Sequence, residues 1–216
     1  MSATPLSLPA LISALSIRDL TDPGQGPHAL QALVDAAVDA LARHWDGPAR
    51  VIRTRPVVPV EDNYDRLGYS AEAAARESRY TKYVSATVLL RSHTSAGIPA
   101  ALRRLAREPE PPDQVLLALP GICYRRDAID RLHTGTPHQL DLWLVRRGGR
   151  RLDHDDLARM VTVLVEAMLP KRHWRWTRAV HPYTSGGRQV DVIDEGWDER
   201  NCCRIDQDLA EGDGER

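Results

Sequence analysis

The chain has 216 residues with 29 basic and 30 acidic side chains, a formal net charge of -1, so no global electrostatic pull toward nucleic acid is implied. No run of eighteen apolar residues occurs, and the N-terminus lacks the basic segment and long apolar stretch of a secretion signal, which excludes a helical membrane anchor and points to a soluble cytoplasmic protein. The three cysteines, Cys123, Cys202 and Cys203, have neither CxxC spacing nor a count that frames disulfides, and the length favours one domain.

Residues 1–26 mix small apolar residues with prolines and read as a loosely attached N-terminal leader. Gly26-Pro27 opens a helix, because proline tolerates the first helical position and Leu30, Leu33, Val34, Ala37, Val38, Leu41 and Trp45 recur at helical spacing. Arg50 to Pro59 reads as one strand. Residues 61–83 crowd Asn63, Tyr64, Arg76, Arg79, Tyr80, Lys82 and Tyr83, which suits either a phosphate-tracking surface or a solvated loop and helix. Val84 to Leu90 is a strand, and His93-Thr94-Ser95 turns into a helix carrying Ile98, Leu102 and Leu105. Taken alone, Ser95 there reads as a helix cap and His93 as a loop residue. Asp153 to Leu169 is a second amphipathic helix with acidic residues in its first turn and Met160 and Met168 as core fillers. Trp174 to Val180 and Gln189 to Ile193 are strands around the Gly186-Gly187 turn.

The richest chemistry lies between residues 121 and 145. An incoming strand, Gly121 to Arg126, brings a guanidinium to a loop carrying Asp127, Asp130, Arg131 and His133. On the return strand Gln139, Asp141, Trp143 and Val145 alternate with Leu140, Leu142 and Leu144, so one face packs and the other can hold a ligand. An arginine fork suits a phosphate or carboxylate, and the glutamine and aspartate suit an ammonium or hydroxyl. His133 and His138 straddle a proline-containing loop with no second ligand pair at zinc spacing, so no metal ligands are assigned. Neither a P-loop nor a Gly-x-Ser-x-Gly elbow is present, so any phosphate site is built from arginine.

That hairpin resembles motif 2 of the class II aminoacyl-tRNA synthetases, and Leu89-Leu90-Arg91-Ser92-His93-Thr94-Ser95 resembles a segment of the phenylalanyl-tRNA synthetase alpha-chain family, in the same order and separation. The resemblance implies an α+β fold: a mostly antiparallel sheet flanked by helices, a partial class II catalytic core over residues 27–199. It implies ATP-dependent amino-acid activation or ligation with Mg. Arg125 is implied as the catalytic arginine on the ATP α-phosphate, with Asp127 near the adenine and His133 as a further nucleotide contact. His93 and Ser95 are implied to position the amino acid, and Gln139 and Asp141 to receive its ammonium group. Asp127 and Asp141 stand where the family carries glutamate, which shortens both carboxylates. The helix and strand over 27–59 are similar to motif 1, which implies a homodimer; the competing reading is a helix and strand of the core. Beyond Trp197 the resemblance is expected to stop before motif 3, leaving residues 200–216 as an acidic, disordered tail. The acceptor implied by the family is tRNA, with a carrier protein or small molecule as alternatives. The competing functional readings are a catalytically silent paralogue that binds an amino acid, a nucleotide or a synthetase-like partner, and an interaction-only fragment.

Overall fold

The computed structural model describes residues 4–126, 134–193 and the backbone of 203–207. Ser7 caps the first helix, α1 (Leu8–Leu15), by accepting from the Ala10 amide. Ala14 of α1 packs with Leu6 and Leu11 against Leu90, Ile122 and Tyr124. The Leu6 amide donates to the Tyr83 carbonyl at 2.8 Å, and Asp19 Oδ2 accepts from the Ile122 amide at 3.1 Å. Residues 5–22 are therefore docked, where the sequence suggests loose attachment: a short apolar side and one carboxylate reaching a strand amide are enough to seat them.

The second helix, α2 (Ala29–Trp45), is capped by His28, whose Nδ1 accepts from the Leu30 amide, and its first residue, Ala29, comes two residues after the proline expected to open it. It ends at Asp46 in the left-handed region. Its stripe of Val34, Ala37, Val38 and Leu41 is buried against the chain's own core, whereas Leu33 stays 41% exposed. Arg50 to Pro59 is not one strand. It divides into β1 (Ala49–Val51) and β2 (Val57–Pro59), which join different sheets. The cause lies between them: the carbonyls of Thr54 and Pro56 are taken up by Arg91, whose Nη1 donates to Thr54 and whose amide donates to Pro56.

A short helix α3 (Val60–Asn63) leads to β3 (Lys82–Tyr83) and β4 (Val88–Leu90), which form an antiparallel sheet with β2 in the order β2-β4-β3. Then come α4 (Ile98–Ala106), β5 (Gln114–Ile122) and β6 (His138–Arg146). β1 runs parallel to β5, and β5 pairs antiparallel with β6 in nine-residue register from Gln114–Arg146 to Ile122–His138. α5 (His154–Met168) is followed by the antiparallel sheet of β7 (His173–Arg178), β8 (Arg188–Ile193) and β9 (Cys203–Gln207). β9 places a paired strand inside the stretch read as a disordered tail.

The α+β class with mostly antiparallel sheets follows directly. Leu140 and Leu142 of β6 face the α2–α5 layer, and Trp143 and Val145 face the α4 layer, as period-two geometry demands. Side chains buried on both faces of β5 anchor the hairpin, each large aliphatic one contributing about 1.5–3 kcal/mol. β8 seats Val190 and Val192 on Val161 and Val165 of α5, and in the β7–β8 turn Gly186 lies beside His154 and Pro182 beside Gly68.

Candidate functional site

The hairpin neck is fixed by a buried arginine. Arg91 is 2% exposed; its Nε donates to the Ile122 carbonyl at 2.9 Å and its Nη1 to Thr54 Oγ1 at 2.8 Å. A Cβ at position 121 would lie 1.9 Å from Arg91 Nη2, so Gly121 is required for the guanidinium to cross the strand. β5 ends at Ile122, short of the Arg126 expected from sequence, and Arg125 lies beyond it in an isolated antiparallel bridge with Thr81. The Arg125 amide donates to the Gly135 carbonyl and its Nε to the Ser92 carbonyl, both at 2.9 Å. Tethered at Nε, the side chain lines a cavity of about 430 Å³. Among the described residues its terminal Nη groups make no hydrogen bond.

Of the seven residues put forward from the sequence, His93, Ser95, Arg125, Gln139 and Asp141 line that cavity, and His138 lines it beside them. Asp127 and His133 lie outside the described residues. His138 is a docking residue: its Nε2 accepts from the Leu20 amide at 2.9 Å, with Asp19 Oδ1 3.8 Å away, so the N-terminal segment closes on the cavity wall. Burial, the largest single influence, pushes the Asp19 carboxyl upward, but hydrogen bonds from the Thr21 side chain and the Thr21 and Ile122 amides, with His138 nearby, together outweigh it and hold the carboxyl below its ordinary value.

Gln139 Oε1 accepts from the Thr94 amide at 3.1 Å and from Cys123 Sγ at 3.3 Å, which ties the return strand to the His93–Ser95 turn. Asp141 Oδ1 accepts from Trp143 Nε1 at 3.1 Å. Ser95 is 8% exposed, and neither the 94–97 turn nor α4 has a side-chain cap, so Ser95 is not the helix cap its position suggests. Cys123 is buried and its thiol is pushed up to about 12 by desolvation, which rules it out as a thiolate nucleophile.

His93 lines the cavity close to Arg125. Both ring nitrogens are buried without a hydrogen-bond partner, although part of the residue remains exposed. Desolvation, then the charge of Arg125, lower its pKa from 6.5 to about 4, while the nearby Asn63 main chain pulls the other way without reaching hydrogen-bonding geometry. The imidazole is therefore neutral at pH 7. It stacks on Tyr69 with centroids 5.9 Å apart and meets Tyr64 edge-on at 6.3 Å.

Several cavity residues escaped the sequence reading. Thr94 Oγ1 is buried without a partner. Tyr183 reaches Tyr69 at 6.2 Å and His181 at 6.0 Å, so the β7–β8 turn supplies a wall. Gly68, at φ +74°, lets the Pro182 carbonyl approach; a Cβ there would meet it at 3.2 Å. Leu157, Met160, Leu164 and Met168 of α5 form the apolar side, so the methionines serve core and cavity together. The glycine before Tyr69 and the His-Pro-Tyr turn were the available signals. The basic, tyrosine-rich stretch is satisfied locally: Arg76 lies over Tyr64 and pairs with Asp65, and Arg79 lies over Tyr80 and pairs with Glu77.

Among the described residues no group of three His, Cys, Asp or Glu is placed to hold a metal ion, and no helix is long and apolar enough to cross a membrane. Residues 37–205 match the family described as tRNA synthetases class II core domain (F), which carries the likeness past Trp197, where the sequence reading ended it. A phenylalanine-tRNA ligase alpha subunit of Prochlorococcus marinus (strain MIT 9313) is 32% identical over 154 residues, covering 70% of this chain and 43% of its own. The corresponding subunit of Acaryochloris marina (strain MBIC 11017) is 30% identical over 204 residues, covering 91% and 58%. The chain thus spans about half the length of the curated relatives it matches. The crystal structure of a pyrrolysyl-tRNA synthetase from Desulfitobacterium hafniense superposes with a TM-score of 0.57 at 19% identity, over 78% of this chain and 56% of that one, a likeness of fold.

Proposed function

This chain belongs to the class II tRNA synthetase core family, and from that premise we propose that it binds ATP and an amino acid in the cavity at the β5–β6 hairpin and activates the amino acid as its adenylate. One observation carries the reading: Arg125, pinned through Nε to the Ser92 carbonyl, shares a single cavity with the Asp141 carboxylate and the neutral His93. Cation, anion and uncharged donor-acceptor are thereby presented to one ligand pair.

In this reading the amino-acid carboxylate attacks the α-phosphorus and pyrophosphate leaves. Arg125 neutralises charge that builds on the α-phosphate oxygens, and because its tether is made in advance it need not reorganise in the transition state. Loss of such a donor costs about 3–4 kcal/mol of transition-state stabilisation. Asp141 takes the ammonium group; Gln139, whose carbonyl already accepts two hydrogen bonds, holds the turn instead of receiving the ammonium. Asp127 and His133 are carried over as nucleotide contacts. The described residues offer no carboxylate cage for Mg, so the ion would arrive on the phosphates, and no step is drawn through it. A tRNA acceptor, a homodimer and a cytoplasmic setting belong to the same proposal.

The test is amino-acid-dependent exchange of labelled pyrophosphate into ATP. Exchange lost in Arg125→Ala supports activation. Binding of both ligands with no exchange favours the silent paralogue instead.

A further inference from the structure

The cavity wall near His93 contains more hydrogen-bonding capacity than the rest of the chain uses. Among the described residues, His93 Nδ1 and Nε2 and Thr94 Oγ1 are buried with no hydrogen-bond partner, on adjacent residues of one turn. A neutral imidazole presents one donor and one acceptor on opposite sides of its ring, and a threonine hydroxyl presents both. These atoms are already withdrawn from water, so an occupant that reaches them gains hydrogen bonds that one lacking the matching group does not. The charged ends of an amino acid have other places in the reading above: Asp141 faces the ammonium, and the carboxylate lies against the α-phosphate that Arg125 holds.

Around these atoms the walls are aromatic. Tyr69 stacks on His93, Tyr183 adjoins Tyr69, and Trp143 lines the same cavity. With no phenylalanine in 216 residues, every aromatic ring at the site carries a polar atom. Flat rings favour a flat, polarisable side chain, and the unpartnered atoms favour one that also makes hydrogen bonds.

We propose that the cavity selects an amino acid whose aromatic side chain carries a hydrogen-bonding group, a phenol, imidazole or indole, over the bare phenyl ring. His93 and Thr94 are the residues that discriminate. This rests on the amino-acid site proposed above and departs from the substrate in the names of the relatives.

Calorimetry on the full chain, saturated with a non-hydrolysable ATP analogue, tests it with phenylalanine, tyrosine, histidine and tryptophan. The expected result is at least one of the last three binding about tenfold or more tighter than phenylalanine, since a site built to hydrogen-bond its ligand rejects the analogue that lacks the group. Thr94→Val and His93→Leu should each shrink that ratio severalfold. The wild-type ratio stands without any variant, so a misfolded His93→Leu does not rescue the idea. Phenylalanine binding as tightly as the others overturns the proposal while leaving the amino-acid site intact, and a ratio untouched by Thr94→Val and a folded His93→Leu overturns the assignment. Binding of the ATP analogue with no amino acid overturns both this proposal and the amino-acid half of the reading it rests on; binding of neither overturns the whole.

Discussion

Acidification should destabilise the protein through His93 in a window set by its displaced pKa. In the unfolded chain the imidazole titrates near 6.5, and in the folded chain desolvation and Arg125 hold it down to about 4. The folded state binds the proton more weakly, so the stability present above pH 6.5 is lost as pH falls from there toward 4, and no more is lost below. A displacement of about 2.5 units at 1.36 kcal/mol each gives a loss of about 3 kcal/mol, a large fraction of an ordinary domain's stability. His93→Phe keeps a ring to stack on Tyr69 and removes the ionisation. Urea unfolding at intervals between pH 8 and 4 should show the variant gaining on the wild type by about 3 kcal/mol, with the slope m unchanged. Carboxylates common to both proteins cancel in the difference. Parallel curves, or an imidazole titrating near 6.5 by NMR, would refute the buried, Arg125-facing placement of the ring.

Two further outcomes follow from the helices. Asp156→Asn removes a carboxylate that accepts from Arg150 and Arg159 and completes a capping box with Asp153; with both arginines half exposed the loss is about 2 kcal/mol, a fall in Tm of roughly 4–8 °C by calorimetry. Arg150 foremost holds that carboxyl below its ordinary value, so the wild-type advantage is complete above the usual carboxylate range and shrinks as pH falls beneath it; a pH-independent difference contradicts the pairing. On α2, Val38→Asp should cost more than about 3 kcal/mol because Val38 is 6% exposed, whereas Leu33→Asp should leave folding intact and reduce the sedimenting mass from dimer to monomer. A wild-type chain that sediments as a monomer removes the dimer from the account.

Helices with a long apolar stripe were legible from sequence: Val34 to Leu41 and Leu157 to Val165 are buried as their spacing requires. The β6 alternation was legible too, because period two decides which residue goes where, but the face read as open to a ligand packs through Trp143 and Val145 against α4 and leaves Gln139 and Asp141 on the cavity. The single strand over 50–59 was misread because its division depends on Arg91, a residue 37 positions from Thr54 that no local pattern connects to it. Residues 5–22 were misread for a related reason: Asp19 and Leu20 find partners at Ile122 and His138, more than 100 positions away. At the site, motif spacing located Arg125, Gln139 and Asp141, while Tyr69 and the His181–Tyr183 turn came into view only once β8 was seated on α5.

The central claim is that Arg125 holds a nucleotide phosphate in this cavity. The most direct measurement is the thermal midpoint of the wild type and Arg125→Ala with and without millimolar ATP and Mg, since a ligand raises the midpoint only of the state it binds. The account predicts a clear upward shift for the wild type and loss of most of it in Arg125→Ala. No shift in the wild type, or an equal shift in both, would contradict it.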